Sequence, residues 1–261
     1  MDITTLPKLP SWLTHLDCSH NQLTTLPPLP PGLRYLYCCD NQLATLPPLP
    51  SKLRYLECSH NQLTTLPTLP GLRVLNCSHN QLTTLPTLPH GLRNFSCCDN
   101  QLATLPTLPS WLTHLDCYHN RLNTLPTLPF TLTFLSSNYN QLTTLPPLPP
   151  TLAELYCNHN LLTTLPPLPP TLEELYCVKN PFTQVFAERM GSDPTETIQR
   201  IHMYYANIKG QSRNVLALQQ TLGKGYNCIL NDDCLNVVGS YLSGQNGTLT
   251  MQITRLRTIL I

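Results

Sequence analysis

Residues 13–32 read LTHLDCSHNQLTTLPPLPPG, and residues 33–52 repeat the pattern as LRYLYCCDNQLATLPPLPSK. The common template is L-x-x-L-x-C-x-x-N-x-L-x-x-L-P-x-L-P-x-x, with a period of 20 residues. The interval between its asparagines is one residue short from Asn61 to Asn80, and the deletion falls in the proline-rich half of the repeat. We expect a loop to absorb it, because a one-residue slip inside a strand would turn every side chain to the opposite face. The template asparagines are Asn21, Asn41, Asn61, Asn80, Asn100, Asn120, Asn140, Asn160 and Asn180.

This template resembles the leucine-rich-repeat signature L-x-x-L-x-L-x-x-N/C-x-L. The predicted fold class is an α/β repeat protein: a leucine-rich-repeat solenoid with a concave parallel β-sheet, an extended or polyproline-like convex side and a small C-terminal helical module. Strand side chains alternate, so Leu16 and Cys18 are expected to point inward and Asp17 outward. The prolines exclude a helix on the convex side, because each removes a backbone donor. We interpret the asparagines as structural, bonding to the backbone of their own and neighbouring coils.

The stretch from Leu6 to Asn180 resembles the 20-residue LPxLP class of these repeats, which is found in secreted effectors of bacterial pathogens. The resemblance implies that the repeats bind partner proteins. Some members of that class also carry a long C-terminal ubiquitin-ligase domain with a catalytic cysteine. Only about 80 residues follow Asn180, so we do not expect that ligase activity.

The predicted domains are residues 1–180, a solenoid of nine repeats preceded by a partial half-repeat, and residues 181–261, a helical module. Cap residues and apolar spacing predict four helices in the module. Its main expected role is to cover the open end of the solenoid. The alternative is a ubiquitin-ligase adaptor, because LNDDCLNVVGSYL at residues 230–242 resembles an F-box helix. The tail also resembles the tails of leucine-rich-repeat proteins from giant viruses of amoebae, which implies a viral or virus-derived gene. The predicted helices begin near Asp193, Ser212, Asp232 and Thr248.

Composition argues against several classes of partner. Charged residues make up 11% of the chain and the formal net charge is +1, so no basic field favours nucleic acid or a membrane surface. No secretion signal and no apolar stretch of spanning length is found in the sequence. We expect an intracellular, cytoplasmic protein, placed in the host cytoplasm if it is viral or an effector. The 12 cysteines are expected to be reduced, since most follow the repeat period.

Neither a metal, a cofactor nor a catalytic residue is predicted. The cysteines of the template form a line and do not converge on one point, as a metal site requires. Cys39 and Cys98 follow template cysteines and are expected to be exposed free thiols. The residues preceding the asparagines, including His60 and His79, are interpreted as solvated loop residues. Cys234 lies beside two carboxylates, which disfavour a reactive thiolate.

The outward strand positions carry the candidate partner-binding residues. Exposed aromatic side chains on a rigid sheet are typical of binding hot spots, although tyrosine also suits a half-exposed strand. The predicted function is a non-enzymatic scaffold that binds a protein partner on this concave face; a structural, self-assembling component is a further alternative. The candidates are Tyr35, Tyr37, Tyr55, Glu57, His114, Asp116, Tyr118, Phe134, Tyr156 and Tyr176.

The N-terminal end lacks a recognisable cap. Ile3, Leu6 and Leu9 match only the second half of a repeat, so the first strand is expected to have an unpaired edge. We expect a monomer in which residues 1–10 fray, with end-to-end self-association of two copies as the alternative.

Overall fold

The computed structural model describes residues 3–182, which form a stack of coils with one short strand per coil. The nine strands pair in chain order as one parallel sheet. Each pairing keeps the repeat in register, so that Leu16 lies opposite Leu36 and Leu36 opposite Leu56. The strands are β1 (His15–Asp17), β2 (Tyr35–Tyr37), β3 (Tyr55–Glu57), β4 (Val74–Asn76), β5 (Asn94–Ser96), β6 (His114–Asp116), β7 (Phe134–Ser136), β8 (Glu154–Tyr156) and β9 (Glu174–Tyr176).

The core is one continuous column of leucine and cysteine side chains. In each strand the central residue is buried while the first is exposed or half-buried, as in β2, where Leu36 is buried between Tyr35 and Tyr37. Cys38, directly after β2, is also buried, and Leu43 and Leu46 close the same coil from the convex side. This arrangement confirms the predicted inward and outward positions and the predicted solenoid.

The proline-rich half of each repeat runs without helix or strand between residues 3 and 182. Before each next strand the chain makes a tight turn closed by a backbone hydrogen bond, for example from Leu53 N–H to Pro50 O at 2.9 Å. In the coil that lacks one residue, Leu72 N–H instead donates to Pro70 O at 2.7 Å. Tyr55 of β3 still pairs with Val74 of β4. A tighter turn therefore absorbs the deletion, as the sequence predicted.

The template asparagine joins two successive coils. Asn41 Nδ2 lies within hydrogen-bond distance of three carbonyls: Cys38 O at 3.2 Å and Cys39 O at 3.0 Å in its own coil, and Cys18 O at 3.0 Å in the preceding one. Its Oδ1 accepts from Leu23 N–H at 2.9 Å. The same pattern recurs at Asn100. The structural interpretation of these asparagines is confirmed.

The residue before each asparagine has a left-handed backbone, which the sequence analysis did not predict. The φ angles lie between 48° at Asp99 and 59° at Lys179. Histidine and aspartate are among the residues that tolerate this region best, and together they fill most of the positions. The complete set is His20, Asp40, His60, His79, Asp99, His119, Tyr139, His159 and Lys179.

Buried cysteine thiols donate hydrogen bonds along the solenoid axis to backbone carbonyls of the next coil. Cys38 Sγ donates to Glu57 O in the next coil at 3.4 Å, and Cys117 Sγ donates to Ser136 O at 3.3 Å. Ser137 takes the place of a template cysteine and donates in the same way to Tyr156 O, also at 3.3 Å. A fully buried hydroxyl is tolerated there because the carbonyl satisfies it. All ten cysteines of the described residues are free thiols.

One prediction about the second cysteines is wrong. Cys39 is half-buried, whereas Cys98 is buried with 6% of its surface exposed. Ser96 Oγ lies 3.5 Å from Cys98 Sγ, and Ser78 Oγ accepts from Cys98 N–H at 3.1 Å. Small polar neighbours therefore cover this thiol, and burial raises its pKa to about 12.

The partial first repeat makes the same hydrogen bonds as its full counterparts, although Ile3 is exposed whereas the equivalent Leu23 is buried. Ile3 N–H donates to Asn21 Oδ1 at 2.9 Å, and Gln22 N–H donates to Ile3 O at 3.0 Å. Leu23 makes the equivalent bonds with Asn41 and Gln42. Fraying of this end and end-to-end self-association stay predictions.

The predicted helical module, the F-box-like segment and Cys234 lie outside the described residues. Within residues 3–182, no helix is both long and apolar enough to cross a membrane.

We predict that Asn100→Ala lowers the free energy of unfolding by about 2–4 kcal/mol, because buried backbone groups of two coils lose their partner. Asn123→Ala is the matched control, since Asn123 is exposed and its amide oxygen only accepts from Thr124 Oγ1; its effect should stay within about 0.5 kcal/mol. Urea unfolding followed by far-UV circular dichroism measures both. Equal shifts of the two midpoints would contradict the structural role of the ladder.

We also predict that alkylation of the native chain in metal-free buffer modifies Cys39 well before Cys117 or Cys157. Burial leaves Cys117 and Cys157 inaccessible and raises the pKa of Cys157 to about 12. A raised pKa means that the thiol stays protonated near about pH 8, and the thiol is a poor nucleophile. Mass spectrometry of digested peptides reports the order of modification. Equal rates at the three positions would show that the core opens readily.

Candidate functional site

The concave face is formed by the first and last side chains of each strand, together with residues just beyond the cysteines. Nine of the ten candidate residues belong to strands, and Tyr118 follows Cys117 at the end of β6. None of the ten is fully buried, and Tyr176 is 42% exposed. The structure therefore places all of them on one surface, where seven belong to two aromatic clusters and Glu57, Asp116 and Tyr118 lie at or near the hollow between them.

An N-terminal aromatic cluster consists of His15, Tyr35, Tyr37 and Tyr55. The rings of His15 and Tyr35 stack with centroids 4.3 Å apart, and those of Tyr37 and Tyr55 lie 5.0 Å apart. Tyr35 and Tyr55 are linked at 6.4 Å. The parallel register causes this contact, because equivalent side chains of adjacent strands stand side by side. His15 was missing from the sequence candidates, although it occupies the same strand position as Tyr35.

A C-terminal aromatic cluster consists of His114, Phe134, Tyr156 and Tyr176. Tyr156 and Tyr176 stack with centroids 4.9 Å apart, and Phe134 lies 5.5 Å from Tyr156 and 6.0 Å from His114. The Tyr156 hydroxyl lies 2.5 Å from Glu174 Oε2 and 3.1 Å from Glu154 Oε2. Partial burial and these two carboxylates raise the pKa of Tyr156. The hydroxyl therefore stays protonated and fixes the ring in place.

A polar hollow of about 340 Å³ separates the two clusters. Polar side chains line most of it, and two of them, Ser78 and Ser96, have hydroxyl oxygens 2.7 Å apart. Asn76 Nδ2 donates to Glu57 Oε2 at 3.0 Å on the side of the N-terminal cluster. In the sequence, the outward positions of β4 and β5 carry mostly small residues, and these indicate where the hollow lies. The lining residues are Ser59, His60, Asn76, Ser78, His79, Ser96, Cys98, Asp116 and Tyr118.

The hollow does not resemble a nucleophilic centre. Its thiol, Cys98, is buried, and the pKa of about 12 keeps it protonated. The nearby Asp116 carboxylate contributes to this raised pKa, the opposite of what an activated thiolate needs. Its remaining polar groups suit hydrogen bonding to a ligand surface.

The left-handed residues form a second row along the edge where the strands end. His60 and His79 stack with centroids 4.0 Å apart, and Tyr139 and His159 stack at 4.1 Å. Asp99 Oδ2 lies 3.4 Å from His79 Nδ1, and its other carboxylate oxygen contacts His119 Nδ1. The interpretation of these positions as solvated loop residues did not include this stacking, which arises because the repeat places equivalent residues of adjacent coils side by side.

One group in the described part of the chain has the side chains and the spacing for a metal ion. The ligand atoms of His20, Cys39 and Asp40 lie within 4.8 Å of one another. His20 and Asp40 belong to the left-handed row of adjacent coils.

Comparisons with known proteins agree with this architecture. The family model for leucine-rich repeats, in two copies, matches residues 11–51 and 51–90. YopM from Yersinia enterocolitica WA-314 is 42% identical with a TM-score of 0.68; the match covers 69% of this chain and 40% of that one. A Shigella effector leucine-rich-repeat domain is 35% identical with a TM-score of 0.50, and the match covers 54% of this chain and 67% of that domain.

A more distant structure belongs to a receptor assembly. A chain of the octameric complex of Latrophilin 3, Unc5D and FLRT2, to which FLRT2 contributes leucine-rich repeats, is 25% identical with a TM-score of 0.56. The match covers 69% of this chain and 64% of that one. No match was found among curated protein sequences. The resemblance of the tail to giant-virus proteins finds no support in these comparisons.

The chain spans about 40% of the matched YopM chain and two-thirds of the Shigella domain. Leucine-rich repeats are typically non-enzymatic and generally bind protein partners. The repeat register, the nine-stranded sheet and these matches together show that the chain belongs to the leucine-rich-repeat proteins of bacterial effector type, whose fold is a protein-interaction scaffold.

Proposed function

We propose that this protein is a non-enzymatic scaffold that binds a protein partner on the concave face of its solenoid. The observation that carries the proposal is the pair of aromatic clusters on either side of a polar hollow. Aromatic side chains supply much of the binding energy at interfaces, and polar pockets between them supply orientation.

Rigidity favours binding by these side chains. The rings of the two clusters stand on strands of one continuous sheet, and most of these strands are paired on both sides, as β2, which carries Tyr35, is between β1 and β3. Stacking against neighbours further restricts the rings before any partner arrives. The entropy cost of ordering them on association is therefore small.

The charge of the strand positions indicates the kind of partner. Five carboxylates occupy outward positions of β1 to β9, and no lysine or arginine does. A partner segment with basic side chains beside apolar ones would complement both the carboxylates and the rings. Binding should accordingly weaken as salt concentration rises. The carboxylates are Asp17, Glu57, Asp116, Glu154 and Glu174.

The effector-type relatives favour a site of action in the host cytoplasm. YopM and the Shigella domain are both bacterial effector proteins or parts of them by description. An intracellular protein partner fits the free thiols of residues 3–182, since reduced cysteines are typical of the cytosol.

We predict that Tyr35→Ala with Tyr37→Ala, or Tyr118→Ala with Phe134→Ala, weakens partner binding by at least about 1–2 kcal/mol while the fold is retained. Each pair removes aromatic surface from one side of the hollow. Affinity capture from host-cell lysate with mass spectrometry identifies proteins enriched by the unmodified chain. Titration of the purified partner then measures the loss in each variant.

The matched control is Trp111→Ala with Phe130→Ala. These side chains are 59% and 80% exposed and lie in the turns before β6 and β7, away from the concave strands. Binding should survive this change. If the control abolishes binding and both concave variants retain it, the partner docks on the turn edge and the proposed face is wrong.

A further inference from the structure

We propose that His20, Cys39 and Asp40 form a binding site for Zn²⁺ that joins the first two coils of the solenoid. Their ligand atoms all lie within 4.8 Å of one another. The site borders the proposed partner-binding face: Cys39 lies just beyond a template cysteine, as Tyr118 does, and His20 and Asp40 belong to the left-handed row at the edge of the sheet.

The geometry is close to that of a bound ion. His20 Nδ1 and Asp40 Oδ2 lie 3.4 Å apart. Two ligands of a tetrahedral zinc ion are separated by about 3.3–3.8 Å, given bond lengths of about 2.0–2.3 Å. The nitrogen and oxygen thus already have the required separation, and the Cys39 sulfur, which lies within 4.8 Å of both, needs only a small further approach.

The backbone holds the three residues in place before any ion binds. His20 and Asp40 have left-handed φ angles of 54° and 52°. His20 N–H donates to Cys39 O at 3.0 Å, and Asn21 N–H donates to Asp40 O at 3.1 Å. Asn41 Nδ2 contacts Cys39 O from inside the coil. A site made by two coils that are locked together in this way requires little reorganisation.

The ligand set selects zinc over the hard cations. A thiolate and an imidazole favour borderline-soft ions, whereas Mg²⁺ and Ca²⁺ prefer oxygen ligands only. On binding, the Cys39 S–H bond breaks, its proton passes to solvent and an S–Zn bond forms with no change of oxidation state. Three protein ligands leave one position for water, and the 77% exposure of His20 provides access.

Zinc binding displaces the proton of the Cys39 thiol, so zinc affinity should fall as the pH is lowered.

The chain contains a second copy of the same residues, which serves as an internal comparison. Ser19-His20 and Cys38-Cys39-Asp40 recur as Ser78-His79 and Cys97-Cys98-Asp99. Among the described residues, only in the first copy do the three ligand atoms lie close enough together to share a metal ion.

The side chain two positions before the second cysteine explains the difference. In the second copy it is Ser96, whose hydroxyl lies 3.5 Å from Cys98 Sγ in a buried position. In the first copy it is Tyr37, which packs on Tyr55 instead. Asp99 is moreover held by imidazoles on both sides, from His79 and His119.

The test uses the full chain with Co²⁺ as a spectroscopic substitute for zinc, followed by competition with Zn²⁺. We expect a thiolate-to-cobalt charge-transfer band and visible bands of a four-coordinate ion, both removed by one equivalent of zinc. Cys39→Ser should abolish the charge-transfer band and weaken zinc binding by at least about tenfold. His20→Asn should weaken it similarly, and asparagine tolerates the left-handed backbone at that position.

Cys98→Ser is the matched control and should leave the spectrum and the zinc affinity unchanged. Far-UV circular dichroism of each variant confirms that the solenoid is intact. The proposal is overturned if Cys39→Ser retains the charge-transfer band, if Cys98→Ser removes it, or if the unmodified chain binds no cobalt.

Discussion

Each coil of this solenoid depends on one amide side chain that bonds to the backbone of two coils at once. A chain with a strand of only three residues per coil leaves most of its backbone groups without sheet partners. Asn41 satisfies carbonyls of Cys18, Cys38 and Cys39 and the N–H of Leu23. Each of those groups, if buried without a partner, would cost about 1–3 kcal/mol, which is comparable with the gain from burying one leucine side chain. The amide therefore makes the leucine core possible, and the left-handed residue before it turns the chain towards the convex side.

Because the interior is set by leucine, cysteine and asparagine, the outward strand residues are free to vary between coils. Tyr37, Glu57 and Asn76 occupy equivalent positions of β2, β3 and β4 with the same backbone pairing. Variation at such positions changes the chemistry of the face without changing the coil. The aromatic clusters and the hollow result from which residue types stand next to each other along the sheet. Function in such a fold is consequently a property of neighbouring repeats rather than of any single one.

Sequence periodicity predicted the strands, the inward residues and the coil that lacks one residue, because each depends on spacing alone. It did not predict that Cys98 would be buried while Cys39 is only half-buried, although both follow a template cysteine. That difference arises from the contact of Cys98 with Ser96 and Ser78 across the sheet. Likewise, the left-handed φ of Tyr139 and Lys179 contradicts their own preferences. The coil imposes it, so local sequence carries no sign of it.

The position of the proposed zinc site has a consequence for the end of the solenoid. Within the described residues, β1 pairs only with β2, so the strand of the first full coil has a sheet partner on one side only. In a stack where each coil is stabilised by its contacts with the adjacent coils, a coil at the end opens first. An ion held by His20 from the first coil and by Cys39 and Asp40 from the second adds a bond across that weakest junction. Since an ion that binds only the folded state stabilises it, zinc would hold this junction closed, and the opening of the coil that carries β1 would depend on the supply of metal.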